Sequence, residues 1–196
     1  MKLILENWRK FLNEADFVSG AMGSEGSPEK EALKQKFPEL NEFEFTEEAN
    51  QLLLTLLNPQ EKPMFLNHKR GMPSLSSEFL SFLKEKGLSI AEGPNPMWCG
   101  ENTLVYIGIP ENVQRAVELG NNPLPEKERY GYEEKFWKYM TSERRGLACV
   151  TPEYHYQLGV LLGYGEENSR LFMEKQKKKL KEKYAEWQKK WWRRWQ

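Results

Sequence analysis

The chain is poor in the residues from which most active sites are built. Among 196 residues it has two cysteines, Cys99 and Cys149, and two histidines, His68 and His155. Two cysteines make no disulfide scaffold and no secretory signal opens the sequence, so a reducing, cytoplasmic-type setting is expected. Two histidines far apart offer no metal-ligand spacing. Aspartate is almost missing: Asp16 stands alone beside the glutamates. Catalytic Mg²⁺ sites lean on aspartate, which argues against a nuclease or phosphotransferase. No cofactor and no metal are expected. There is no phosphate-binding glycine loop, nucleophile elbow or zinc-type cysteine pair. Net charge is also missing, with 29 basic against 29 acidic residues, so no strong global attraction to nucleic acid or membrane exists. Uncharged runs fall far short of the twenty or so residues that span a bilayer, and a membrane partner is not expected.

What is present is aromatic. Phe, Trp and Tyr make up 13% of the chain, more than a disordered sequence carries. Leu5, Trp8, Phe11 and Leu12 lie at helical spacing and predict an amphipathic helix over 1–14. Residues 15–28 include Ser19-Gly20-Ala21-Met22-Gly23-Ser24-Glu25-Gly26-Ser27-Pro28, a composition of flexible linkers. A helix-rich domain is expected over 29–165. It starts with the Ser27-Pro28-Glu29 signal, a cap, a first-turn proline and an acid. Further helices are predicted from Thr46, as cap, to Leu57, from Ser76 to Lys86 with a stop at Gly87, from Pro110 to Gly120, over Pro125–Ser142, and from the Thr151 cap through Leu162. Thr103–Ile109 (TLVYIGI) is the best strand, with Ser89–Ala91 as its candidate partner. The expected class is α+β, predominantly α-helical, with at most a small sheet around 89–109 and a long C-terminal helix over 166–196.

That last helix carries the strongest physical signal. Residues 174–196 hold ten basic residues against three glutamates, a net +7, so the preceding residues carry −7. Leu180, Tyr184, Trp187, Trp191 and Trp195 form one stripe, flanked by cations that include Lys189, Lys190, Arg193 and Arg194. The stripe admits three readings. It packs on the acidic body or a partner helix; it binds nucleic acid, with cations on phosphate and tryptophan on bases; or it lies at a membrane surface. Trp192 falls off the stripe and would be wet without a partner, which favours a contact outside the chain. The candidate binding residues are Trp187, Trp191, Trp195, Lys189, Lys190, Arg193 and Arg194.

The opening residues Glu6-Asn-Trp-Arg-Lys-Phe-Leu-Asn-Glu14 resemble the leaders that begin many otherwise unrelated proteins of large contractile-tailed marine bacteriophages. Such leaders are similar to capsid-targeting sequences, which load internal proteins into the prohead and are then cut off by the prohead protease. The resemblance implies docking to a capsid or scaffold subunit through Leu5, Trp8, Phe11 and Leu12. It also implies cleavage after Glu14, since Leu12-Asn13-Glu14 matches the protease's preference for Leu or Ile, any residue, then Glu. Localisation would be the virion or the infected-host cytoplasm. A second segment, His155-Tyr-Gln-Leu-Gly-Val-Leu-Leu-Gly-Tyr164, resembles the His-x-x-Leu-Gly-x-x-Leu-Gly-Tyr-Pro stretches of several helical families. Gly165 replaces the proline, and Glu166-Glu167 stand where some of those families have cysteines, so no metal role carries over. The physical reading is close helix packing at Gly159 and Gly163, with Tyr164 closing the turn.

Three functions follow. The first is a non-enzymatic phage accessory or internal capsid protein that binds DNA or another virion subunit through its C-terminal helix. The second is a small enzyme or host-modifying effector with a site around Cys99, His155, His68 and Arg70, which requires those side chains to converge as a polarised pair. The third is a cytoplasmic nucleic-acid-binding module. His68-Lys69-Arg70-Gly71 reads as a solvated basic turn or as an anion site.

Overall fold

A computed structural model describes residues 27–96, 103–142 and 150–193, without the side chains of Thr141, Trp192 and Arg193. The leader residues Leu5, Trp8, Phe11, Leu12 and Glu14, most of the linker, Cys99, Cys149, Arg194 and Trp195 lie outside the described residues. The described chain is α+β and mostly helical. Its helices are α1 (Pro28–Lys36), α2 (Thr46–Leu57), α3 (Ser77–Glu85), α4 (Pro110–Asn121), α5 (Glu134–Ser142), α6 (Pro152–Leu161) and α7 (Glu166–Arg193). Three antiparallel strands, β1 (Met64–His68), β2 (Ser89–Pro94) and β3 (Thr103–Gly108), form a sheet in the order β1-β3-β2.

Side-chain caps fix the starts of α1, α3 and α6. Ser27 Oγ accepts from Lys30 N at 3.3 Å, and Ser76 Oγ accepts from Phe79 N at 3.1 Å. Thr46 is not a cap but the first helical residue of α2; Phe45 occupies the cap position, with no side-chain hydrogen bond. The helix expected over Pro125–Ser142 is broken. A 3-10 turn covers Lys127–Tyr130, Gly131 follows at φ +60, and α5 begins only at Glu134. The left-handed glycine ends the first turn because a second helical turn cannot pass through it.

β3 is the hub of the sheet. It pairs with β1 through Phe65↔Ile107 and Asn67↔Val105, and with β2 through Ile90↔Ile107 and Glu92↔Val105. Its side chains alternate between two cores. On one face, Leu104 and Tyr106 join Met64, Leu66, Val113, Ala116, Tyr154 and Leu158, from β1, α4 and α6. On the other, Val105 and Ile107 join Phe65, Leu52, Leu53, Leu56, Phe79 and Leu83, from β1, α2 and α3. β1 was not legible: Met64, Phe65, Leu66 and Asn67 are all buried. A short run covered on both faces shows no period-two alternation.

α7 is 28 residues long, about 42 Å. Its first half packs on α6, burying Ser169, Phe172 and Gln176. Its second half packs on α5 in a third core, where Leu180 and Trp187 meet Phe136, Trp137 and Met140. Among the described residues no helix is long and apolar enough to cross a membrane.

Candidate functional site

The aromatic stripe of α7 is engaged within the chain. Trp187 is only 4% exposed, and its ring lies 5.6 Å from Phe136 of α5. Tyr184 stacks on Tyr132 at 4.2 Å, Trp187 stacks on Tyr184 at 5.6 Å, and Trp191 stacks on Trp187 at 5.7 Å. Lys135 places its ammonium over Trp191, 5.6 Å from the ring centre. Of the three readings of the stripe, Trp187 follows the first: it packs within the chain, on α5, and so is not open to a partner or nucleic acid. Phe136, Trp137 and Met140 at helical spacing give α5 an apolar face, which Leu180 and Trp187 of α7 cover together with Leu124, Tyr130 and Tyr132.

Polar contacts reinforce this docking. Tyr130 Oη donates to the Glu153 carboxylate, 2.7 and 2.9 Å from its two oxygens. Burial, and then the bond to Glu153, push the Tyr130 hydroxyl well above its ordinary pKa, so it stays a donor. Lys177 of α7 reaches Glu153 at 3.7 Å and Glu174 at 2.9 Å. Glu153 follows Pro152 in the first turn of α6, where a carboxylate is also favoured by the helix dipole.

The cations divide into two groups. Lys177 is committed to Glu153 and Glu174, and Lys179 lies beside His155. Lys178, Lys181, Lys189 and Lys190 are exposed, and no hydrogen bond or ion pair joins them to a described residue. Lys178, Lys181 and Lys189 lie on one side of α7 within about a quarter turn, with Lys178 and Lys189 about 16 Å apart along the axis; Lys190 is half a turn round from Lys181. That side is lysine-rich with Glu182 among the cations, while Tyr184, Trp187 and Trp191 stack within the chain.

The histidines do not form a catalytic arrangement. His155 is 2% exposed, and its contacting rings are Tyr154 at 5.9 Å and Phe172 at 5.4 Å. Neither of its ring nitrogens has a hydrogen-bond partner. Burial, then the Lys179 ammonium, hold its pKa down to about 4. His68 ends β1 opposite Leu104, and burial together with nearby positive charge that includes Arg70 lowers its pKa to about 4. Neither imidazole pairs with a described carboxylate, so neither is oriented or polarised as a general base. Arg70 is exposed, and Lys69 beside it is paired with Glu92 at 2.7 Å. Among the described residues no group of three or more His, Cys, Asp or Glu could hold a metal ion.

Gly163 stands where the sequence ends one helix at Leu162 and begins the next at 166. It sits past the end of α6 at φ +84, where Gly163 N donates to Val160 O and Tyr164 N to Gly159 O, both at 3.0 Å. It terminates the helix, and the close approach it permits is to the Glu61–Pro63 segment and not to another helix. The freed carbonyls are taken by distant donors: Lys62 Nζ to Leu162 O at 3.0 Å and Asn112 Nδ2 to Leu161 O at 3.2 Å. The Lys62 ammonium also lies 4.7 Å from the Tyr164 ring centre. Both donors are far away in sequence, and nothing in the 155–164 motif announces them.

No protein-family model matches the chain, and no curated protein or solved structure does either.

Proposed function

We propose that this chain is a non-enzymatic accessory or internal protein of a phage particle, and that it binds DNA or another virion subunit through its C-terminal helix. The observation that carries the binding part is the set of exposed lysines on α7, Lys178, Lys181 and Lys189 on one side and Lys190 beyond them, none joined by a hydrogen bond or ion pair to a described residue. Delivery into the particle rests on the resemblance of residues 1–14 to capsid-targeting leaders. The separation of rings from cations narrows the binding residues. Trp187 serves the core, and Lys189 and Lys190 remain available to a partner. An enzymatic role draws no support from His68 and His155, because neither imidazole pairs with a carboxylate among the described residues.

The test is to recover the protein from purified particles and sequence its N-terminus. A mature chain starting at Ala15 is the expected result. A chain that is present but starts at Met1 removes the processing claim. Its absence from particles that were assembled in cells expressing it removes the virion role.

A further inference from the structure

The same helix separates two ways of binding nucleic acid, stacking on bases and holding phosphates, and it also bears on whether the partner is nucleic acid or protein. Base stacking needs ring faces open to solvent. On the described part of α7 those faces are used: Tyr184 by Tyr132, Trp187 by Tyr184 and Trp191, and Trp191 by Trp187 with Lys135 above it. A protein interface needs apolar anchors at its centre. Between residues 178 and 190 the exposed positions are Lys178, Lys181, Glu182, Ala185, Glu186, Lys189 and Lys190, and none is a large apolar residue. Over the same stretch there are six lysines against two glutamates. Over this stretch, spare cations without open rings or large apolar anchors suit a regularly spaced polyanion.

We infer that α7 binds the sugar–phosphate backbone of duplex DNA through Lys178, Lys181 and Lys189, which share one side of the helix, without reading sequence. This rests on the binding role proposed above and names its ligand. Each lysine–phosphate contact releases condensed counterions, so affinity falls steeply with salt and is indifferent to base composition.

The experiment uses the full-length chain. Truncation before α7 would strip Leu180 and Trp187 from the aromatic core and confound binding with unfolding. Short duplexes of A·T-rich and G·C-rich sequence, and single strands of equal length, are titrated between 50 and 200 mM salt. The same titrations are made with a variant carrying Lys178→Gln, Lys181→Gln and Lys189→Gln. All three positions are exposed, so the fold should survive, and circular dichroism checks that it does. The expected result is equal affinity for the two duplexes, a loss of about 40-fold across the salt range, and a salt slope lower by about 1 for each lysine removed. Tighter binding to single strands with quenched tryptophan fluorescence would overturn the inference while leaving DNA binding in place. Duplex binding unchanged in the folded variant would move the contact off these lysines and overturn it equally. No DNA binding by the unaltered chain would remove the inference, and with it the DNA half of the proposed function; the subunit half would then be the one to pursue.

Discussion

Protonating His155 would set a cation between α6 and α7, opposite the Lys179 ammonium and with no acceptor in reach. Its pKa in the fold, about 4, lies below the ordinary 6.5, so the neutral ring is the form the fold accommodates. As pH drops below 6.5 the unfolded chain takes up the proton first. The stabilisation is therefore complete above that value, declines through the interval and levels off below about 4. Between neutrality and pH 4 the loss from this one group is on the order of 3 kcal/mol. His68 is shifted the same way and adds to the decline. Urea midpoints measured across this range should fall more steeply for the unaltered chain than for His155→Leu, whose remaining slope is that of His68 and the carboxylates. Equal slopes would mean that His155 is not buried as a neutral ring. Glu39 works in the opposite sense. Burial raises its pKa, but hydrogen bonds from Ser76 N at 3.1 Å and Ser76 Oγ at 2.6 Å outweigh that and hold it lowered, so its charged form secures the start of α3.

The loop between α6 and α7 holds two glycines that look interchangeable in sequence. Gly163 and Gly165 both have positive φ, +84 and +78. A Cβ on Gly163 would stand 2.6 Å from Pro63 Cδ and 2.7 Å from Glu61 O, whereas one on Gly165 would meet nothing within 4 Å. Gly165→Ala should therefore cost only the left-handed strain, about 1–2 kcal/mol. Gly163→Ala must also displace the backbone ahead of β1 and should cost clearly more, about 3 kcal/mol or above. Thermal melts of the two variants read the difference, and equal melting temperatures would contradict the close approach of α6 to the Glu61–Pro63 segment. The caps at Ser27, Ser76 and Thr151 were readable in advance because a cap involves residues three apart. The break at Gly131 was not, because a single glycine inside an aromatic, charged stretch does not reveal its φ.

α7 unites the fold. It packs along α6 and closes the aromatic core against α5, and its positive charge lies along a body of equal and opposite net charge. Trp187→Ala should destabilise the chain by about 3–5 kcal/mol, the usual cost of emptying a buried aromatic site. It should do so in a single transition, since Phe136, Trp137 and Met140 lose their cover together. Near-ultraviolet and far-ultraviolet circular dichroism followed through the same denaturant titration would show coincident, lowered midpoints. An unchanged midpoint would make α7 an independent appendage instead of part of the core.

Local chemistry settled much of this protein in advance. Helix starts, the β2–β3 pairing partners, the long final helix and its charge imbalance depend on neighbours within a few residues, and such neighbours are visible in a linear chain. Packing settled the rest. Whether a tryptophan stripe faces solvent or another helix depends on what stands opposite, and Phe136 stands about fifty positions from Trp187. β1 needed cover on both faces to become a strand, and Lys62 and Asn112 reach the end of α6 only once the chain has folded back. A helical stripe specifies that something must cover it; the identity of that cover is decided in three dimensions, by the element whose apolar face the folded chain brings opposite.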